Sequence, residues 1–318
     1  MSCPSQTKEE SYKFFENIED YIKKVKVAKS TVASTNAESE CNSFMLTYGS
    51  EFTAKETAKN ICEQFINLYN SLNDLKCNLN RDFKDKKCSD FLNYWVNYKL
   101  RKSMNNEGNS VRDLYDHLES QITGIGGFSI YLDFICDINK DDLNKMNILY
   151  RLYKNYTDLY DILDNSSQQV KETSLSLSTS CCKDYLEARY ICDTSKTNSN
   201  SPFCNNLEIF KSKYEREIYN KVDQKESDFS DYFIKLSECP NNKIITTAVT
   251  GTVVGLIPLL GVLYKFTPMG QMFRSKNGIL NKDINNNDEE MINMSLMDQE
   301  NEQLRFQKGT YNIKYQSV

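Results

Sequence analysis

Helix breakers are scarce in this chain of 318 residues, which has 11 glycines and 5 prolines, so long helices meet few interruptions. Histidine is scarcer still, with one, His117. With a single imidazole and no GxSxG, HExxH or CxxC motif, the usual layouts for nucleophilic, zinc-dependent and redox chemistry are missing. Gly124, Gly126 and Gly127 lack the preceding strand and the spacing that cradle a phosphate, and read as a hinge between helices. Excess positive charge is absent too. The net charge is −5, and residues 1–243 carry 32 basic against 37 acidic side chains, which leaves no field for nucleic acid. The N-terminus, MSCPSQTKEESYKFF, has no basic segment followed by an apolar one, so no cleaved signal peptide is visible. These absences point away from an enzyme, and neither a cofactor nor a metal is expected.

What the chain does have is one long apolar run. Ile244 to Tyr264, IITTAVTGTVVGLIPLLGVLY, carries no charge over 21 residues. As a helix rising about 1.5 Å per residue it would be roughly 31 Å long, close to the hydrocarbon thickness of a bilayer. It reads as the only membrane span. Pro258 is no objection, because a helix in lipid tolerates proline when neighbours or water satisfy the freed carbonyl. Three parts follow: a Cys- and Tyr-rich body over 1–243, the transmembrane helix over 244–264, and a short tail over 265–318. Lys265, Arg274 and Lys276 follow the run while Lys243 alone immediately precedes it, so the tail is expected on the cytoplasmic side. Gly251 and Gly255 form a GxxxG with Ala248 one turn earlier, a pattern that lets two such helices pack closely, so self-association through the span is an expectation. The Asn- and acid-rich tail has too little apolar content to fold alone and reads as disordered.

All 11 cysteines precede the run. That asymmetry suggests a body that meets an oxidising compartment and forms several disulfides, with one thiol left over because the number is odd. The candidate disulfide cysteines are Cys41, Cys62, Cys77, Cys88, Cys136, Cys181, Cys182, Cys192, Cys204 and Cys239, with pairing left open.

Apolar spacings of three and four run through most of the body, so the fold expected is all-α. Helices are expected over Lys8–Lys29 (Tyr12, Phe15, Ile22, Val25), Glu51–Leu79, Cys88–Met104, Val111–Gln121, and from Asp141 and Asp142 through a seam of Leu149, Leu152, Tyr153, Tyr156, Leu159, Tyr160 and Leu163. Residues 30–50 read as a loop, and 166–180 as a linker or a polar helix with few anchors. In the next block Cys182, Leu186 and Tyr190 share a face, and a last helix passes through Leu207, Phe210, Tyr214, Ile218 and Val222. Lys99, Arg101 and Lys102 suit the negative end of their helix dipole rather than a binding patch. The sequons at Asn155 and Asn165 carry no weight, the first lying inside the strongest helix.

The block LYKFTPMGQMFRSK (Leu263 to Lys276), the CSDFLNYWVNYKL block (Cys88 to Leu100) and the Cys- and Tyr-rich helices resemble the Plasmodium interspersed repeat (PIR) superfamily, specifically its Vir-type members. The block after the span is the specific part; the helical body matches in pattern. The resemblance implies an exported variant antigen at or beneath the infected red-cell membrane, serving antigenic variation and host interaction without enzymatic activity. The missing cleavable signal is similar to the family. An export-type pentamer, Arg112 to Asp116, lies mid-domain in an expected helix, where chance explains it. The function expected is that of a variant surface antigen acting in receptor binding, adhesion or immune evasion, with a host cell-surface protein or an antibody as partner. The alternative is an intracellular membrane protein in host-cell remodelling or trafficking. Contacts are expected in the loops around 30–50 and 193–203.

Overall fold

Several helices begin where a polar side chain can satisfy the first free N–H groups. Ser34, Ser110, Asn139 and Ser201 each accept a hydrogen bond from the backbone three residues on, at Ala37, Asp113, Asp142 and Cys204. The computed structural model describes residues 7–75, 77, 86–106, 108–123, 132–163, 168–194, 201–223 and 230–239. A 3-10 helix over Glu10–Asn17 runs into α1 (Ile18–Ser30), followed by α2 (Thr35–Tyr48), α3 (Lys55–Leu72), α4 (Lys86–Ser103), α5 (Val111–Ile122), α6 (Lys140–Ile162), α7 (Gln168–Thr194) and α8 (Pro202–Tyr214). A single π-turn, Glu215–Tyr219, carries α8 into the short α9 (Asn220–Asp223). The described residues are mostly helical, and their extended pairing is an isolated bridge between Phe52 and Met104. All of them belong to one unit, Met1–Asn242.

The core is built round α4, which is apolar or buried on nearly every side. Phe91, Leu92, Tyr94, Trp95, Val96 and Leu100 are each at most 2% exposed. A helix buried all round sits inside a bundle rather than on its surface. Phe14 stacks on Tyr94 at 5.3 Å between ring centroids, and Tyr21 on Phe91 at 4.4 Å, which brings in the N-terminal segment. Phe65 of α3 approaches Trp95 and meets Tyr115 of α5 edge-on at 5.6 Å. Tyr150 of α6 packs on Tyr94 from the other side. Such pairs add about 0.5–1.5 kcal/mol each beyond area burial.

The second half packs around α6. Leu149, Leu152, Tyr153, Tyr156, Leu159 and Leu163 of its expected seam are buried, whereas Tyr160 is half-exposed with Lys221 Nζ 4.9 Å above its ring. Leu207, Phe210, Tyr214, Ile218 and Val222 are all buried, so the expected last helix keeps one face inward. The π-turn lets it do so, because one inserted residue shifts the face round the axis.

Four expectations are corrected. Residues 30–50 are not a loop: Ser34 caps α2, and Ala37, Cys41 and Phe44 at spacings of four and three bury one face. The helix expected over Glu51–Leu79 is shorter, beginning at Lys55 and ending at Leu72, and that over Lys8–Lys29 opens as a 3-10 helix. Of the two readings of 166–180, by contrast, the polar helix holds: residues from 168 to 180 form the first half of α7, with Ser174 and Ser178 fully buried, side chains small enough for a close helix contact. The inward face of α7 is wider than expected and stops short of Tyr190: Cys182 and Leu186 are buried as expected, Cys181, Tyr185 and Ala188 join the main core, and Tyr190 is 70% exposed.

No helix among the described residues is long and apolar enough to cross a membrane. The 244–264 run, with Ala248, Gly251 and Gly255, lies outside those residues, as do the tail, the 124–127 glycines and Asn165.

Candidate functional site

The cysteines come together in four pairs among the described residues. Cys41–Cys62 joins α2 to α3, Cys77–Cys88 joins the end of α3 to α4, Cys192–Cys204 closes the α7–α8 connection, and Cys182–Cys239 ties the last described residue to α7. Cys136 is disulfide-bonded as well. Cys181, one of the candidate cysteines, is instead the free thiol, fully buried. The reason is helical phase. Neighbours on α7 point about 100° apart, so Cys182 reaches Cys239 while Cys181 turns to α6, its sulfur 3.9 Å from the Leu152 carbonyl. Burial pushes that thiol well above its ordinary range, which makes it unreactive as a nucleophile.

The basic end of α4 is structural. Lys99 lies over the Trp95 ring at 5.7 Å and Lys102 over the Tyr98 ring at 5.6 Å. Arg101 donates to the Asp137 carboxylate at 2.5 Å and to the Asn109 carbonyl. Asp137 also accepts from the Val111 and Arg112 N–H groups and the Ser110 hydroxyl, so it sits at the positive N-terminus of α5. Burial alone would raise its pKa, but those hydrogen bonds and Arg101 outweigh it and hold the carboxyl below its ordinary 3.8.

This is one end of a polar ladder that sequence reasoning missed. Residues 132–139 have no regular structure, yet side chains of two helices satisfy their backbone. Asn93 accepts from Cys136 N–H; Asn97 accepts from Ile138 N–H and donates to the Cys136 carbonyl. From α5, Arg112 donates to the Ile135 carbonyl and Glu119 accepts from Leu132 N–H. Asn93, Asn97 and Arg101 are spaced by four, the one signal available in the sequence. The pentamer from Arg112 to Asp116 is thereby accounted for as structure: Leu114 and Tyr115 are buried, and Arg112 also pairs with Asp116. In the Asn155 sequon, Thr157 is buried and its hydroxyl donates to the Tyr153 carbonyl.

Every resolved shift moves away from neutrality: burial raises Tyr94, Tyr115 and Cys181, while Asp137 and Glu217 are lowered. His117 is exposed and stacks on Tyr48 at 4.4 Å, at the contact of α2 with α5. No described group of three or more His, Cys, Asp or Glu side chains could hold a metal ion.

What remains is surface. In the first expected contact region, Val32 is 91% and Leu46 80% exposed, on the α1–α2 connection and the outer face of α2. In the second, the Cys192–Cys204 bond fixes the ends of α7 and α8 with Cα atoms 5.8 Å apart, while 195–200 lie outside the described residues. Nearby in sequence, Tyr190 and Ile209 are 70% and 60% exposed. Ile209 helps line a shallow depression with Glu208, Ser212, Lys213 and Arg216 of the α8 region. Single exposed apolar side chains are ordinary, and none of these by itself selects a partner.

Residues 211–318 match the family model described as Plasmodium vivax Vir protein. The match covers the end of α8, the π-turn and α9, residues 230–239, the apolar run and the tail. No curated protein and no solved structure matches the chain.

Proposed function

We propose, from the premise that this is a PIR/Vir-type protein, that it is a membrane-anchored variant antigen whose helical body is displayed on the infected red cell. The match over residues 211–318 carries the reading, because it takes in both the uncharged 244–264 run and the Leu263–Lys276 block. Membership of a variant surface antigen family supports display in general terms; receptor binding, adhesion or immune evasion is the role proposed here. The body supports it in physical terms. Its disulfides suit an oxidising exterior. Its interior is aromatic and closely packed, so exposed positions such as Val32, Asn36, Ser39 and Leu46 can vary without touching the core.

Protease treatment of intact infected cells tests the reading. A displayed body is cut while cytosolic markers survive. Full protection until the cells are permeabilised would overturn display and favour an intracellular membrane protein in host-cell remodelling.

A further inference from the structure

We infer that residues 230–239 form a strap locked to the helical body by the Cys182–Cys239 disulfide, and that reducing this one bond frees the strap while the body stays folded. The strap holds two 3-10 turns of three residues each, Ser230–Tyr232 and Leu236–Glu238, so its backbone makes few bonds of its own. A ring of hydrogen bonds at Ile234 joins it to the body. Ile234 N–H donates to Ser178 Oγ at 2.6 Å, Tyr214 Oη donates to the Ile234 carbonyl at 3.2 Å, and Ser178 and Tyr214 bond each other at 3.0 Å. Beside this ring of bonds Phe233 and Leu236 are buried, and Ser237 N–H donates to Glu215. Lys171 Nζ lies 5.5 Å over the Tyr232 ring and Lys235 Nζ 5.8 Å over the Tyr219 ring, and these contacts work against the conformational entropy of ordering ten residues. The disulfide closes a loop of sequence separation 57 and removes much of that freedom in advance.

Access separates this bond from the two fully buried pairs. Cys41 and Cys62 are both 0% exposed, and Cys77 and Cys88 both 2%, whereas Cys239 is only partly buried. A thiolate from outside can therefore attack the Cys239 sulfur, forming a mixed disulfide and expelling the Cys182 thiolate, which takes up a proton. The second thiol of a dithiol reductant then releases Cys239 as a thiol and leaves as a cyclic disulfide, completing a two-electron reduction. Cys181 cannot act in place of the external reagent, since it is buried against Leu152 and held neutral. Cys192 is also partly buried, but its bond to Cys204 closes the α7–α8 connection and does not hold the strap. The lock thus reports compartment, closed in an oxidising exterior and open in a thiol-reducing cytosol. Opening it adds ten residues of tether, up to roughly 35 Å, between the body and the residues that follow.

Graded dithiothreitol treatment of the full chain in detergent, followed by alkylation, peptide mass spectrometry and amide hydrogen exchange, tests this. The expected result is that Cys182 and Cys239 are alkylated at concentrations that spare Cys41, Cys62, Cys77 and Cys88. In the same samples, protection over 233–239 falls on the order of tenfold or more while that of α3, α4 and α6 is unchanged. Cys239→Ser in the oxidised chain should give the same local loss. The inference is overturned if the strap keeps its protection once both cysteines are labelled, if the body loses protection at the same step, or if the buried pairs are reduced no later than Cys239. Should Cys239→Ser fail to fold, reduction of the native chain decides.

Discussion

Asp137 is the residue on which two connections depend, since its carboxylate joins the end of α4 to the start of α5. Its folded pKa lies below the ordinary value, so its contribution is fully present above about pH 4 and is lost as pH falls through the lowered folded value. Asp137→Asn is expected to cost on the order of 1–2 kcal/mol at pH 7, at the low end because the side chain is 37% exposed. Urea unfolding of both proteins from pH 7 to pH 2.5 checks it: the gap between them should be constant down to about pH 4 and shrink below. A gap that grows on acidification would mean the carboxyl is not the group responsible. Cys181 behaves oppositely, buried and inert. Iodoacetamide should leave it unlabelled in the native protein and label it once guanidinium unfolds the chain. Cys181→Ala should fold with an unchanged disulfide pattern at a cost of about 1 kcal/mol, read from the denaturant midpoint.

Among the elements, α4 shows what the sequence makes legible and what it hides. Its existence and span follow from Phe91, Leu92 and Trp95 at helical spacing, and α5, α6 and α8 follow in the same way. Its second face does not. Asn93 and Asn97 look like solvated positions, yet Asn97 is 0% exposed because the irregular 132–139 segment lies against it. A side chain that serves a distant, non-periodic segment leaves no periodic signal. A different cause hid α2: its buried face, Ala37, Cys41 and Phe44, is periodic but has only three members within a run of Ser, Thr, Asn and Glu, and Cys41 is bonded to Cys62 of α3. On α7 the two adjacent cysteines gave two faces 100° apart, and only the location of Cys239 chooses between them. The expected contact regions around 30–50 and 193–203 carry no motif, and in the first of them the structure adds only the exposure of Val32 and Leu46. Asn97→Ala should cost about 2–3 kcal/mol, because the Cys136 carbonyl and Ile138 N–H then lose their partners within the core. Thermal unfolding measures it, and Asn36→Ala on the exposed start of α2 should stay within about 0.5 kcal/mol of the parent.

For the whole molecule the decisive property is the contrast in sequence between a body of mixed apolar and charged residues and a run of 21 residues without a charge. The described core residues, which run up to Leu236, form one continuous cluster among themselves. Under the proposed function those 21 uncharged residues are the bilayer anchor. Placing Val254→Arg and Leu256→Arg at the middle of the run would cost about 2.5–3.5 kcal/mol each on insertion scales, enough to move the equilibrium from inserted to released. The expected outcome is that the parent chain stays in the membrane pellet after alkaline carbonate extraction while the double variant appears in the supernatant. The variant's body should retain its disulfides and its cooperative thermal transition, because both positions lie outside the residues that form the described core. Equal extraction of parent and variant would remove the anchor from this reading and leave the uncharged run to be covered by protein instead of lipid.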